Sequence, residues 1–540
     1  MFIHTRDMKM AMEEILGAAN WLYNHVWLSD MAIALLGLFV FSSSISKLRN
    51  KHGPMLWPVL GIVPTVLLHI HKVHEWATNS FRGTNGTFRY RGMWLGKAYG
   101  MVTVDPVKIQ YVLKTNFKNF PKGKYYRERF QDLLGHGIFN VDDEAWKQQR
   151  RIATSEMHTS RFMEFSMSCI TELVHQKLLK VVDHVVASGE SIDLQQVLLR
   201  FTFDNICMAA FGVDPGCLDV SLPEVPFATA FEHATELTLF RFLVPPFVWK
   251  PMRYFGVGFE KRLKESIRTV HEFAEKTVEN RRIEYKKLGD LNDWSDLISR
   301  LVQREDGNNP GDEILKSPNF LRDFCTSFIL AGRDTSSVGL AWFFWLVSKK
   351  PDVELKILDE IKRILSLRSE PSKGEIVFTV EELKQMVYLQ AAISEALRLY
   401  PPVPIDFKET LEDDIFPDGT VVKKGSRILY CIFSMARMES IWGEDCAEFK
   451  PERWIKDGKY FGGENINQQF KYVVFNGGPR LCPGKSFAYM QMKMVVASVL
   501  LRYSIKVVEG HEVVPKMTTT LYMRNGLLVK FKPRGGFGRL

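Results

Sequence analysis

The sequence predicts long buried helices packed around one large core, and three observations carry that expectation. From Asp323 to Lys349 the chain is rich in Phe, Leu, Ile, Val and Trp, with only Arg333 and Asp334 charged in its middle, as in a helix buried on most sides. A second apolar helical stretch, Ala391 to Leu399, encloses Glu395 and Arg398. Hydrophobic residues make up 46% of 540 positions, with 38 Phe, and nothing resembles a linker long enough to divide compact units.

Taken in order, the chain opens with a candidate membrane segment. Met31 to Phe41 is uninterrupted and apolar, and Ser42–Ile45 can extend it, against about 20 residues for a spanning helix. Upstream, Trp21, Tyr23 and Trp27 suit an interface, whereas Asn24, His25 and Asp30 do not suit hydrocarbon. Lys47, Arg49 and Lys51 follow directly, which by the positive-inside tendency puts everything after them in the cytosol. Gly53-Pro54, Pro58 and Pro64 then stiffen a hinge. His69, His71 and His74 have no cysteine companion and suit an amphipathic helix near a membrane better than a metal site.

Trp146 and Arg150 stand at i,i+4, which places both donors on one helix face. The other Trp-x-x-x-Arg, Trp249 and Arg253, contains Pro251, which argues against a continuous face there. In the long helix, Ala331-Gly-Arg-Asp-Thr-Ser336 offers a hydroxyl that can bond an i−4 carbonyl and open the ladder, with Gly332 permitting the distortion. A Ser/Thr-rich kink with a solvated Arg333–Asp334 pair fits the same residues. Glu-x-x-Arg recurs at Glu265/Arg268, Glu279/Arg282 and Glu360/Arg363 among polar neighbours, as surface pairs do; only Glu395/Arg398 lies in an apolar helix and needs buried partners.

The most informative stretch is Phe475-Asn-Gly-Gly478-Pro-Arg480-Leu-Cys482-Pro-Gly484, a lone cysteine in a glycine-bracketed loop. A thiolate there suits haem iron, because it pushes electron density onto the metal. Gly478 and Gly484 allow positive φ and close backbone approach, so that amide N–H groups can turn toward sulfur, and Arg480 can meet a propionate. The alternative is a buried structural cysteine beside a glycine turn.

These stretches resemble cytochrome P450 haem-thiolate monooxygenases, with motifs in family order from about Gly53 to about Lys532. The resemblance implies the cytochrome P450 fold: mainly α with small β-sheets, preceded by one N-terminal transmembrane anchor. Its expected division is a lumenal or interfacial segment 1–30, a signal anchor 31–46, a basic, proline-rich hinge 47–64, a catalytic domain 65–532 and a tail 533–540. It implies haem b ligated by Cys482 and held by Trp146, Arg150, Phe475, Gly478, Arg480 and Gly484. Asp334 and Thr335 would deliver protons during oxygen activation. Glu395, Arg398 and Arg453 would form a structural triad, with Trp454 where the family often has Phe. NADPH would act through a cytochrome P450 reductase, and the protein would be a monomer in the endoplasmic reticulum membrane, single-pass, with its catalytic domain cytosolic.

In that compartment the seven cysteines need no disulfides, and the Asn85-Gly-Thr87 sequon stays unmodified. The formal charge of +9 comes without a base-stacking motif or basic arm, which argues against nucleic acid. Lys147, Arg151, Lys471, Lys485 and Lys493 cluster in sequence around the haem motifs and suit a face that steers an acidic reductase. Phe139, Leu330, Ala331, Ile405 and Leu521 would make the substrate pocket apolar; a long acyl chain suits that wall, as do sterols and terpenes.

The resemblance narrows further. Asp132-Leu-Leu-Gly-His-Gly-Ile-Phe-Asn140, the run Phe328–Ser337 and Phe416-Pro-Asp-Gly-Thr420 look like the plant fatty-acid ω-hydroxylases that make cutin and suberin monomers. Glu156-Met-His-Thr159, the run Leu198–Cys207 and Met517–Met523 resemble the branch associated with very-long-chain acyl groups. His136 replaces an acidic residue common at its position. The implied function is ω-hydroxylation of long or very-long-chain fatty acids, with in-chain hydroxylation, another apolar substrate or a non-oxygenating haem-thiolate sensor as alternatives.

Overall fold

The computed structural model describes Gly17 and residues 28–49, 53–93, 98–290, 294–305, 307, 312–369, 375–462, 470–516 and 518–535. Trp21, Tyr23, Asn24, His25, Trp27, Lys51 and Met517, most of segment 1–30 and the last five residues of the expected tail lie outside the described residues.

One unbroken helix, Phe320–Ser348, joins two hydrophobic cores. Phe320, Phe324, Phe328 and Ile329 at its start pack with residues of the helices Asp143–Met157, Pro226–Leu243, Gly258–Leu288 and Leu297–Glu305. Val338, Leu340, Trp342, Phe343 and Leu346 near its end pack with the helices Leu179–Ser188, Pro351–Leu365, Val387–Leu399 and Lys485–Arg502. Between these groups lies the largely buried polar stretch Arg333–Ser337, so the helix is anchored in a different core at each end. The helix Leu194–Phe211 runs against it and belongs to both cores. At their contact a Cβ on Gly332 would stand 2.6 Å from Cγ1 of Ile206. Gly332 therefore serves helix packing, not the expected distortion of the ladder.

The sheets are small. Thr87–Arg91, Tyr99–Thr103, Arg427–Cys431 and Ile405–Glu409 lie side by side in that order, parallel between the middle two and antiparallel elsewhere. Ile192–Asp193, Leu528–Pro533 and Tyr503–Val507 form a second, antiparallel sheet that ties the end of the chain to the helix starting at Leu194, whose N-cap is Asp193. The fold is mainly helical with small sheets.

The N-terminal helix covers Leu28–Arg49, longer than the expected 31–46 anchor, yet among the described residues no helix is long and apolar enough to cross a membrane. The reason is compositional: the apolar run ends at Phe41, and four serines, Lys47 and Arg49 interrupt the remaining turns. His74 is buried against Phe433 with ring centroids 5.0 Å apart, and burial, followed by the charge of Arg437, holds it down to about 4. Pro251 lies inside the helix Pro246–Phe255, contrary to expectation: the hydrogen bond it cannot make would go to Phe247, in the helix's first turn. Glu360 is no simple surface pair either; it accepts the amides of Tyr388 and Leu389 at 2.7 and 2.9 Å, at the start of Val387–Leu399.

Glu395 and Arg398 are fully buried and bidentate, at 2.7 and 2.8 Å. Arg398 also donates to the carbonyls of Ala436, Cys446 and Glu448, and Arg453 reaches Glu395 at 3.3 Å and Asp445 at 2.9 Å. Trp454 adds a contact that Phe could not make: its Nε1 donates to Oε2 of Glu395 at 2.9 Å. This cluster ties the Val387–Leu399 helix to the 436–454 segment. Trp454→Phe should destabilise the fold by about 1–3 kcal/mol, because a buried carboxylate oxygen loses a donor, as chemical denaturation would show.

Candidate active site

The loop around Cys482 is closed by its own backbone: the Cys482 amide donates to the Phe475 carbonyl at 2.9 Å. Gly478 has φ +60°, and a Cβ there would lie 1.9 Å from the Leu113 carbonyl oxygen. Gly484 differs from the expectation of positive φ, since it sits at −86°, and a Cβ there would lie 4.0 Å from the Cys482 sulfur. Burial pushes the Cys482 thiol up, opposed by the Gly484 backbone N–H and by the charges of Arg150 and Lys485. A metal that claims the thiolate would release this tension.

Trp146, Arg150, Phe475, Arg480, Cys482 and Gly484 all line one cavity of about 1040 Å³. Gly478 does not line it; its role is to let the loop pass Leu113. Arg480 lies over Trp146, 4.5 Å from the ring centroid, and donates to the Val141 carbonyl and to Asp142 at 3.0 and 2.8 Å, while its Nε is buried without a partner. Among the described residues Arg150 and the Trp146 indole N–H have no protein acceptor. Three donors beside the cysteine thus await acceptors, which is the donor set that haem propionates would fill.

The structure adds residues the sequence did not reveal. Lys122 and Lys408 share Asp406 at 2.9 and 3.1 Å, and Asp406 also accepts from Tyr430 at 2.5 Å and Asn476 at 3.4 Å. Burial works against the Asp406 charge, yet Lys122 and Lys408 hold its carboxyl well below the usual range. Burial forces Lys408 down to about 7 against the opposing pull of Asp406. Asp142 is already shared by Arg480 and Arg127. The cluster is therefore short of negative charge, and haem carboxylates would supply it. One signal was available: Asp406 and Lys408 stand at i,i+2, on one face of a strand that begins at the predicted pocket residue Ile405. Lys122 had none.

Leu330, Ala331, Gly332, Thr335 and Ser336 of the long helix line the cavity, with Phe139 and Ile405. The Thr335 hydroxyl donates to the Ala331 carbonyl at 2.7 Å, the i−4 bond anticipated, without interrupting the helix. Asp334 is fully buried outside the lining, paired with Arg333 at 2.8 Å, and its Oδ2 has no hydrogen-bond partner among the described residues. The pair is buried, not solvated. Leu521 does not line the cavity: its carbonyl accepts from Trp342 and its side chain joins the core, leaving Thr518, Thr519 and Thr520 on the wall. His136 is exposed and outside the lining; its amide donates to Asp323 at 2.8 Å.

Cys482→Ser should abolish the thiolate-type spectrum of the reduced CO complex. Gly478→Ala should prevent haem incorporation, because both φ and the Leu113 contact forbid a side chain, whereas Gly484→Ala should retain it. Absorbance of the purified variants separates these outcomes.

Comparison with known proteins agrees with this geometry. The family description "Cytochrome P450" matches residues 51–533. The chain is 49% identical to cytochrome P450 86B1 of Arabidopsis thaliana, over 92% of this chain and 88% of that one. It is 38% identical to cytochrome P450 94B1 of Arabidopsis thaliana over 91% and 93%, and 36% identical to the alkane hydroxylase MAH1 of the same plant over 92% and 99%. A cavity-lining cysteine with uncommitted donors beside it, in a chain matched over residues 51–533, places this protein in the cytochrome P450 family of haem-thiolate monooxygenases.

Proposed function

We propose that this chain is an NADPH- and O2-dependent ω-hydroxylase of long or very-long-chain fatty acids, supplying suberin or cutin monomers. The cavity carries this reading. It reaches from Cys482 past Phe139, Leu330 and Ile405 to Val63, Val66, Ile70 and Trp76 in the short helices Val63–Leu68, Ile70–Lys72 and Val73–Arg82, with apolar residues along that route. Such a wall accepts an extended hydrocarbon chain. A relative named for alkane hydroxylation supports a saturated hydrocarbon as the substrate body.

Bound haem supplies oxygen activation, and the cysteine thiolate favours it. The protein's own part is positional. Leu330, Ala331, Phe139 and Ile405 must let only the chain end approach, because a terminal methyl C–H bond is stronger than its methylene neighbours, so remote contacts must hold the chain in place. Thr335 holds a proton at Oγ1 on the cavity wall, beside the buried Arg333–Asp334 pair.

Electrons would come from an NADPH-cytochrome P450 reductase docking on the Cys482 side. Lys147 and Arg151 are exposed there, and Lys471 and Lys485 partly so. Lys493 does not belong to that face: it is buried, donates to the Leu383 carbonyl at 2.9 Å, and is held down to about 8 by burial. Attachment to the endoplasmic reticulum membrane is supported by the exposed Ile33, Leu35, Leu36, Leu38 and Phe41 of the N-terminal helix, followed by Lys47. A cytosolic catalytic domain is the reading that the positive charge after the apolar run supports.

Mass spectrometry of products from microsomes given a plant reductase, NADPH and a ladder of saturated fatty acids should show terminal alcohols. In-chain alcohols would overturn the regiochemistry, and NADPH-independent conversion of a hydroperoxide would favour a non-oxygenating protein. Thr335→Ala should keep haem but release hydrogen peroxide in place of product; tightly coupled hydroxylation would remove the proton-delivery role.

A further inference from the structure

We propose that Arg129 is the anchor that receives the substrate carboxylate, with the Arg427 guanidinium and the Tyr90 hydroxyl beside it. This rests on the acyl reading above. All three residues line the cavity. Arg129 and Arg427 lie on the ring of Tyr125, at 3.3 and 3.4 Å from its centroid, and both arginines are buried.

Arg129 is a buried cation with no counter-ion among the described residues. Its Nε donates to the Arg241 carbonyl at 2.7 Å and its Nη1 to the Tyr125 carbonyl at 2.9 Å, and among the described residues Nη2 has no acceptor. Arg241 returns a bond to the Arg129 carbonyl at 3.0 Å and is itself neutralised by Glu260 and Asp132. The neighbouring Glu128 reaches Lys124 and Lys250, at 3.8 and 3.5 Å, and among the described residues no carboxylate pairs with Arg129. Burial, with the nearby Arg427 and Arg241, lowers Arg129 to about 10. An anion entering the cavity would complete the pairing that the protein leaves open.

The position separates this group from the propionate cluster. Arg129 stands seven residues along the helix Gly123–Leu134 from its N-cap Lys122, about 10 Å at 1.5 Å per residue. Arg427 stands three residues from Tyr430 in one strand, again about 10 Å. Lys122 and Tyr430 meet at Asp406, so both elements set the arginines the same distance away from that cluster. A carboxylate fixed there makes the cavity a ruler: the acyl chain length decides which carbon reaches the reacting centre.

The test uses the full haem-loaded chain and spectral titration with the best-used fatty acid of the ladder and with its methyl ester. The wild type should bind the acid about tenfold or more tightly than the ester. Arg129→Met should erase that advantage while ester binding stays within about twofold, and should spread hydroxylation from the terminus to in-chain carbons; Arg129→Lys should retain part of the preference. A wild type that hydroxylates acids yet binds the ester equally well overturns the anchor alone, as does an Arg129→Met enzyme that keeps both preference and regiochemistry. A wild type that neither binds nor hydroxylates any acid overturns the anchor together with the acyl reading. Because the comparison of acid with ester begins in the wild type, it stands even where Arg129→Met does not fold.

Discussion

The site depends on positive charge buried in excess of what the protein can neutralise. Lys122 and Lys408 divide one carboxylate, Arg480 shares Asp142 with Arg127, and Arg150 meets no protein acceptor among the described residues. Removing a cation from water costs several kcal/mol unless geometry and partners offset it, so this cluster is incomplete without an anionic ligand. Haem then acts as a structural counter-ion as well as a cofactor, and its binding energy contributes to the stability of the folded state.

The apolar part of the site follows from how the Phe320–Ser348 helix is held. Each end is fixed in a different core, and the buried polar middle is held by the Leu194–Phe211 helix, where Thr202 donates to the Arg333 carbonyl at 2.8 Å. Gly332 brings the Leu194–Phe211 helix into contact on one side, which leaves Leu330, Ala331 and Thr335 to face the cavity on the other. The hydroxyl bond from Thr335 to Ala331 is thus made within a rigid helix, and a rigid wall is what terminal selectivity requires.

Local chemistry was legible in the sequence and three-dimensional convergence was not. The lone cysteine between glycines, the Trp146/Arg150 spacing and the apolar setting of Glu395 each announced a constraint that neighbours in the chain impose. The spacing at Thr335 predicted its i−4 bond, but the role of Gly332 depended on Ile206, more than a hundred residues away, and could not be inferred locally. Leu521 was misplaced for a similar reason: the turn carrying Thr518–Thr520 faces the cavity, and the next residue turns into the core beneath Trp342. Lys493 looked like a surface charge because it follows the haem-loop lysines in sequence, yet it is the one charge between Ser486 and Leu501, in a helix apolar on nearly all sides. The N-terminal run showed its apolar character plainly, but hydropathy falls once the serines begin, and the helix continues without it.

Arg129 and Lys122 show how one helix can serve two anions. Their separation along Gly123–Leu134 is fixed by helical rise, and the Asp406–Arg427 strand pair repeats the same spacing through the register Asp406↔Tyr430 and Glu409↔Arg427. Two elements therefore set one distance, joined by the Lys122–Asp406 pair at 2.9 Å and by the Tyr125 amide donating to Glu409 at 3.0 Å. A propionate at one end and a substrate carboxylate at the other would be held apart by the protein's most regular geometry. Regiochemistry would then be set by backbone spacing, with the apolar wall only guiding the chain between its two fixed ends.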